Sequence, residues 1–180
     1  MRKTPKKRPT PPLTEAWLRR QAEQYLMRYQ ASEKRIRQML WRRVRRAQSF
    51  HGGEDSDAEI MVNAVLRSLQ SDGAINDAAY ANGWVQTLIR RGSSAKAIRY
   101  KLMEKGVASH HIDTALKEAR VQTENWENQA AETYAKRRRL GPYRVPPDTS
   151  WKQQQKDLAT MARAGFSFDL AKRTLAPAKD

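Results

Sequence analysis

Thirty-five lysines and arginines against nineteen acidic residues give this 180-residue chain a net charge of +16, which makes a polyanion the expected partner through counterion release and long-range attraction. The absence of cysteine excludes a disulfide framework and every thiolate metal site. A hydrophobic share of 39% leaves material for small cores only, so modules that lean on their neighbours are expected rather than one large globule.

Residues 1–12 hold five basic side chains, no acidic ones and four prolines, and read as a disordered basic arm. They lack the apolar stretch of a secretory signal, and no later run approaches the length of a membrane span, so a soluble cytoplasmic protein is expected. A first helix starts after Thr14 within 13–30, with Trp17, Leu18, Tyr25, Leu26 and Tyr29 on its apolar side. Ser32 caps a second helix that buries Ile36, Met39, Leu40 and Val44 and turns Arg35, Arg42, Arg43 and Arg46 outward. Residues 50–57 read as a polar loop with an acidic tip, and Met61 to Leu69 as the third helix, closed by the turn at Asp72-Gly73.

The middle of the chain is the most regular part. One helix runs to Arg91 and stops at Gly92, a second runs to Lys105 and stops at Gly106, and a third follows through Ile112 and Leu116. The spacing returns later: Met161-x3-Gly165-Phe166-x8-Leu175 matches Leu102-x3-Gly106-Val107-x8-Leu116. An earlier and more degenerate copy sets Ser32, Ile36 and Leu40 at the spacing of Ser94, Ile98 and Leu102. The third unit opens near Trp126, is interrupted by Gly141-Pro-Tyr-Arg-Val-Pro-Pro147, and resumes at Asp148 or Ser150, because adjacent prolines cannot lie inside a helix. The expected fold is therefore all-α, an elongated tandem array of three three-helix repeats. Its bounds are 13–71 with a loop insertion at 48–57, 72–124, and 125–180 with a Pro-rich insertion at 140–149.

Residues that could carry chemistry are few. His110 and His111 project about a hundred degrees apart on a helix and cannot share one metal. No phosphate-cradling glycine motif occurs, Glu54, Asp55, Asp57 and Glu59 fit a solvated tip, and Ser93 and Ser94 fit helix caps. The chain is thus expected to have no catalytic residues, no metal site and no cofactor.

Charge supplies the candidate site instead. Residues 34–46 carry seven basic and no acidic residues, and 136–144 carry five and none. Arg90, Arg91, Lys96, Arg99, Lys101 and Lys105 form the candidate central patch, flanked by Arg42, Arg43, Arg45 and Arg46 and by Arg137, Arg138 and Arg139. Trp41 and Trp151, each beside basic residues, suit either base stacking or contacts between units, whereas Trp84 belongs with Leu88 on the inner face.

The run Leu69-x3-Gly73-Ala-Ile-Asn-Asp77-x2-Tyr80-Ala81, followed by Trp84-Val85, Arg91-Gly92, Ile98-x3-Leu102-x3-Gly106-Val107 and Ala164-Gly-Phe-Ser-Phe-Asp169, resembles the RecX family of modulators of the RecA recombinase. The similarity covers about residues 15–175 and is strongest from 62 to 116. The chain departs from the usual pattern in Val44, which falls where the first unit would have its glycine, in the 50–57 insertion, in the basic arm, and in Asn76-Asp77 for the common aspartate pair. The resemblance implies a protein with no enzymatic activity of its own, and a monomer is expected. The resemblance places it along the groove of the RecA filament on single-stranded DNA, where it would restrain the ATPase and strand exchange; the net charge makes double-stranded DNA a second expected partner. A stand-alone nucleic-acid-binding helical protein and a protein-only adaptor are the competing readings of the charge and the helices.

Overall fold

The computed structural model describes residues 11–176, within which there are nine α-helices and no strand. The basic arm expected over 1–12 lies, up to residue 10, outside the described residues. The helices run α1 Glu15–Leu26, α2 Glu33–His51, α3 Asp55–Ser71, α4 Asp77–Arg90, α5 Ala95–Glu104, α6 Ser109–Gln122, α7 Trp126–Arg138, α8 Trp151–Arg163 and α9 Phe168–Leu175. They fall into two compact units, the first ending at Asp77 and the second beginning at Ala78.

Local chemistry sets most of the helix ends. Thr14, Ser32, Ser94, Ser150 and Ser167 each accept a hydrogen bond from a backbone N–H three residues on, satisfying one of the donors that a helix start leaves orphaned. At the other ends, Gly106 and Gly165 take positive φ, and the chain closes in the same way on both. The Val107 N–H donates to the Leu102 carbonyl at 3.0 Å, and the Phe166 N–H to the Met161 carbonyl at 3.2 Å. Val107 and Phe166 are buried immediately after the turn, so the matched spacing is a repeated helix stop that also delivers an apolar anchor.

In the first unit the core is built from Leu18 and Ala22 of α1, Ile36, Leu40 and Val44 of α2, and Val62, Leu66 and Leu69 of α3. These recur at three and four residues, one face per helix. In the second unit one continuous cluster runs from Ala81 and Val85 through Ile98, Leu102 and Ile112 to Trp126, Met161, Phe166 and Ala171, so α4–α6 and α7–α9 share a core. The two triplets also interlock. A Cβ added at Gly92 would lie 2.8 Å from the Tyr134 nitrogen and 2.9 Å from the Ala130 oxygen on α7, so the α4–α5 turn packs backbone to backbone against that helix.

Two expectations need correction. The loop placed at 48–57 shrinks to Gly52, Gly53 and Glu54, because α2 continues to His51 and α3 already begins at Asp55. With Val44 in place of a glycine nothing breaks α2, and the turn out of α2 waits for Gly52 at φ 71°. Asp55 and Asp57 then form the acidic first turn of α3, where they complement its dipole. The first helix likewise stops at Leu26, and Tyr29 lies beyond its end, 58% exposed.

Candidate nucleoprotein interface

Arg42, Arg43, Arg45 and Arg46 are all exposed on the outer side of α2, opposite buried Val44 and Ala47. The helix carries them through the stretch where the other repeats would turn. None forms an ion pair among the described residues, although like charges at i,i+3 and i,i+4 each cost about 0.2–0.5 kcal/mol.

In the second unit Arg90 ends α4, Arg91 stands in the turn, and Lys96, Arg99 and Lys101 are exposed on α5. At about 100° per residue, Lys96 and Arg99 share one flank of α5, whereas Lys101 and Lys105 lie on the other flank, with Ile98 and Leu102 turned to the core. The six central residues therefore do not form one face. Arg99 is bonded to Asp113 of α6, and the Lys105 ammonium sits 4.0 Å over the ring of half-buried Trp84. The stem of Lys96 lies against Gly165, whose added Cβ would come within 3.0 Å of the Lys96 Cβ.

What the fold does bring together is the α4–α5 turn and the end of α7. Arg137 donates from Nη1 to the Arg91 carbonyl at 2.7 Å, and its guanidinium lies 5.6 Å from the centre of the Tyr134 ring. Arg138 and Arg139 follow, both exposed, with Arg139 in the left-handed region at φ 52°. Two cationic segments far apart in sequence thus adjoin. Lys136 is partly satisfied by Glu132 at 3.9 Å and by the Tyr143 ring at 5.5 Å.

Other cations are committed to structure. Arg19 bonds Glu23, Ser68 and Asp72, and these partners, Asp72 first and then Glu23, hold its guanidinium charged above the ordinary range. Trp41 packs half-buried on the core of the first unit, while Trp151 is 75% exposed at the start of α8. Among the described residues no group of three His, Cys, Asp or Glu side chains could hold a metal ion. No described helix is long and apolar enough to cross a membrane.

Charge runs do not reveal a groove in the first unit that is lined by Tyr25, Arg28 and Tyr29 and by Arg43 of α2. The sequence carries its signal in the run Tyr25, Arg28 and Tyr29, which a helix continued through Gln30 hides.

A model of the second three-helix domain of RecX matches residues 76–116, which contain α4, α5 and the Leu116 end of the repeat motif. The chain is 40% identical over 159 residues to the regulatory protein RecX of Myxococcus xanthus, covering 88% of this chain and 84% of that one. It is 30% identical to the regulatory protein RecX of Agrobacterium fabrum over 162 residues, 89% and 83% of the two chains. Among solved structures, RecX from Lactobacillus salivarius superposes with a TM-score of 0.68 at 21% identity, covering 89% of this chain and 94% of that one. A second crystal structure of regulatory protein RecX gives 0.65 at 23% identity, covering 89% and 70%. At such identities these two matches speak for the fold.

Proposed function

The chain belongs to the RecX family of regulatory proteins, and from that premise we propose that it binds the RecA recombinase filament on single-stranded DNA and restrains its ATPase, strand exchange and growth. It would act in the cytoplasm as a monomer, without catalysis, in the control of DNA repair and recombination. The observation that carries the reading is the Arg137–Arg91 contact, which sets the α4–α5 turn beside the cationic end of α7. Arg90, Arg91, Lys96, Arg138 and Arg139 then offer charge from two repeats to one anionic surface, with the α2 arginines as a separate point of attachment. Each such contact is weak. Several on one chain reinforce one another, because once the first is made the others act at high effective concentration. Holding neighbouring subunits of a filament together in this way slows their conformational cycling and needs no bond to be made or broken.

Recombinase ATPase on single-stranded DNA, measured with and without the chain, tests the reading. Reversing Arg90, Arg91, Lys96 and Arg138 to Glu is expected to raise the concentration for half-inhibition about tenfold or more and to make binding less steeply dependent on salt. Full inhibition by the reversed protein would overturn the assignment of these residues. Absence of inhibition by the wild-type chain, combined with tight binding to naked DNA at physiological salt, would replace the filament with free nucleic acid as the target.

A further inference from the structure

The first unit carries a groove that the cationic surface of the second does not include. α1 stops at Leu26, and the chain folds back on its own end, with the N–H groups of Arg28 and Tyr29 both donating to the Tyr25 carbonyl at 3.1 and 3.0 Å. This brings the Tyr29 ring to 5.1 Å from the Tyr25 ring, centre to centre. Between this corner and α2 lies a cavity of about 500 Å³, floored by buried Met39 and edged by Met27, Arg28 and Arg43. Tyr29 is 58% and Met27 86% exposed. Two large side chains with extensive apolar surface are thus kept in water at one site, where further burial would be favourable.

We infer that this groove seats an unstacked base of a single DNA strand, with the exposed Tyr29 ring as the stacking surface, the Tyr25 ring tilted at 44° against it, and Arg28 and Arg43 on the phosphates beside it. Charge decides the occupant. Two guanidiniums line the groove, no carboxylate does, and neither arginine forms an ion pair among the described residues. The volume falls within the range of about 300–1,000 Å³ that small ligands occupy, larger than one base requires. A duplex shows its phosphates but hides the faces of its bases, so rings placed between arginines favour a single strand. Arg43 stands one helical turn beyond Met39, which sets its charge over the groove floor, and exposed Arg42 and Arg46 continue the positive run along α2. The choice of DNA as the strand rests on the filament reading above; the rings, the volume and the charges do not.

The test compares a fluorescent twenty-residue oligothymidylate with an abasic oligomer of the same length and charge, each titrated with the full-length chain. Stacking predicts that the wild type prefers the oligothymidylate by about five- to a hundredfold. Tyr29→Ala, at an exposed position, is expected to bring that preference close to one while leaving affinity for the abasic oligomer unchanged, and Tyr29→Trp to restore it. Arg28→Ala with Arg43→Ala should weaken both oligomers equally. Photocrosslinking of 5-iododeoxyuridine should label Tyr25 or Tyr29. Equal binding of the two oligomers by the wild type, or a preference unmoved by Tyr29→Ala, overturns the inference. So does loss of binding to DNA-free recombinase in Tyr29→Ala with the oligomer preference intact, which would make the occupant a protein. Inhibition of recombinase ATPase by the wild type, measured alongside, separates the two proposals: inhibition without base preference leaves the filament reading standing, and base preference without inhibition leaves the groove standing.

Discussion

Asp157 is buried to 3% exposure at the place in its repeat that Ile98 occupies in the preceding one, and its Oδ1 accepts a hydrogen bond from Arg144 Nη2 at 2.7 Å. Both residues precede their helix-ending glycine, Gly165 or Gly106, by the same interval. The carboxylate also accepts from the Gly141 N–H at 2.8 Å and from Gln153 Nε2 at 2.7 Å. An apolar core position has thus become the anchor that fastens the segment between α7 and α8.

Asp157→Ala is expected to lower the stability of the chain by about 3 kcal/mol, since it strips the partner from a largely desolvated guanidinium and from a backbone N–H. Arg144 keeps 27% of its side chain exposed, which holds the cost at the lower end for a broken pair. The pair itself gains little, because Arg144 Nε is buried without a hydrogen-bond partner. Combining Asp157→Leu with Arg144→Met should therefore cost less than Asp157→Ala alone, as measured by urea unfolding followed through tryptophan fluorescence.

Gly92 and Gly73 share a φ of 72° but differ in surroundings. Nothing lies within 4 Å of a Cβ built at Gly73, whereas one at Gly92 meets the backbone of α7 at 2.8 Å. Gly73→Ala should cost about 1–2 kcal/mol for the left-handed conformation alone. Gly92→Ala should cost clearly more, because α7 must move. Equal losses in denaturant titrations would contradict the close packing of the α4–α5 turn on α7.

Ser94 has no exposed surface and works twice, accepting from the Ala97 N–H at 3.2 Å and donating to the Ala164 carbonyl at 2.6 Å. Ser150 is an exposed cap that accepts from the Gln153 N–H at 3.4 Å. Ser94→Ala is expected to destabilise by about 2 kcal/mol and Ser150→Ala by about 1 kcal/mol or less. A thermal unfolding series on the two variants checks the order.

The Ser150 hydroxyl, then the Ser150 backbone N–H and the more distant charges of Arg144 and Lys156, hold the Asp148 carboxyl below the usual aspartate range. A carboxylate depressed in the folded state adds stability that is complete above its unfolded pKa and lost as pH falls through the folded value. Asp148 should thus titrate below ordinary aspartates in carbonyl NMR, and Ser150→Ala should move it back towards them. An unshifted Asp148 in the wild type would count against this turn.

Much of the fold could be read from short stretches. Ser94, Gly106 and Gly165 declare their roles because a cap or a left-handed stop is decided within about five residues. The same locality explains the errors. No local signal marks Leu26 as the end of α1, so periodicity alone puts Tyr29 on an inner face it does not occupy. Val44 stands in the sequence as a departure from a motif, and its consequence is a helix that runs on to His51 and carries the α2 arginines with it. Asp157 gave no sign of burial, since its main charged partner comes from a different segment.

The candidate site divides along the same line. Net charge, the basic runs and the repeated helix stops follow from composition and from near neighbours, so they are properties of the chain as written. Which cations share a surface is a matter of distant contacts: Arg137 reaches Arg91 because α7 packs under Gly92, Arg99 is taken up by Asp113, and Lys105 is drawn over Trp84. Only packing between helices could decide these, because side chains that share a stretch of sequence spread around the helix axis, while those that share a face arrive from different helices.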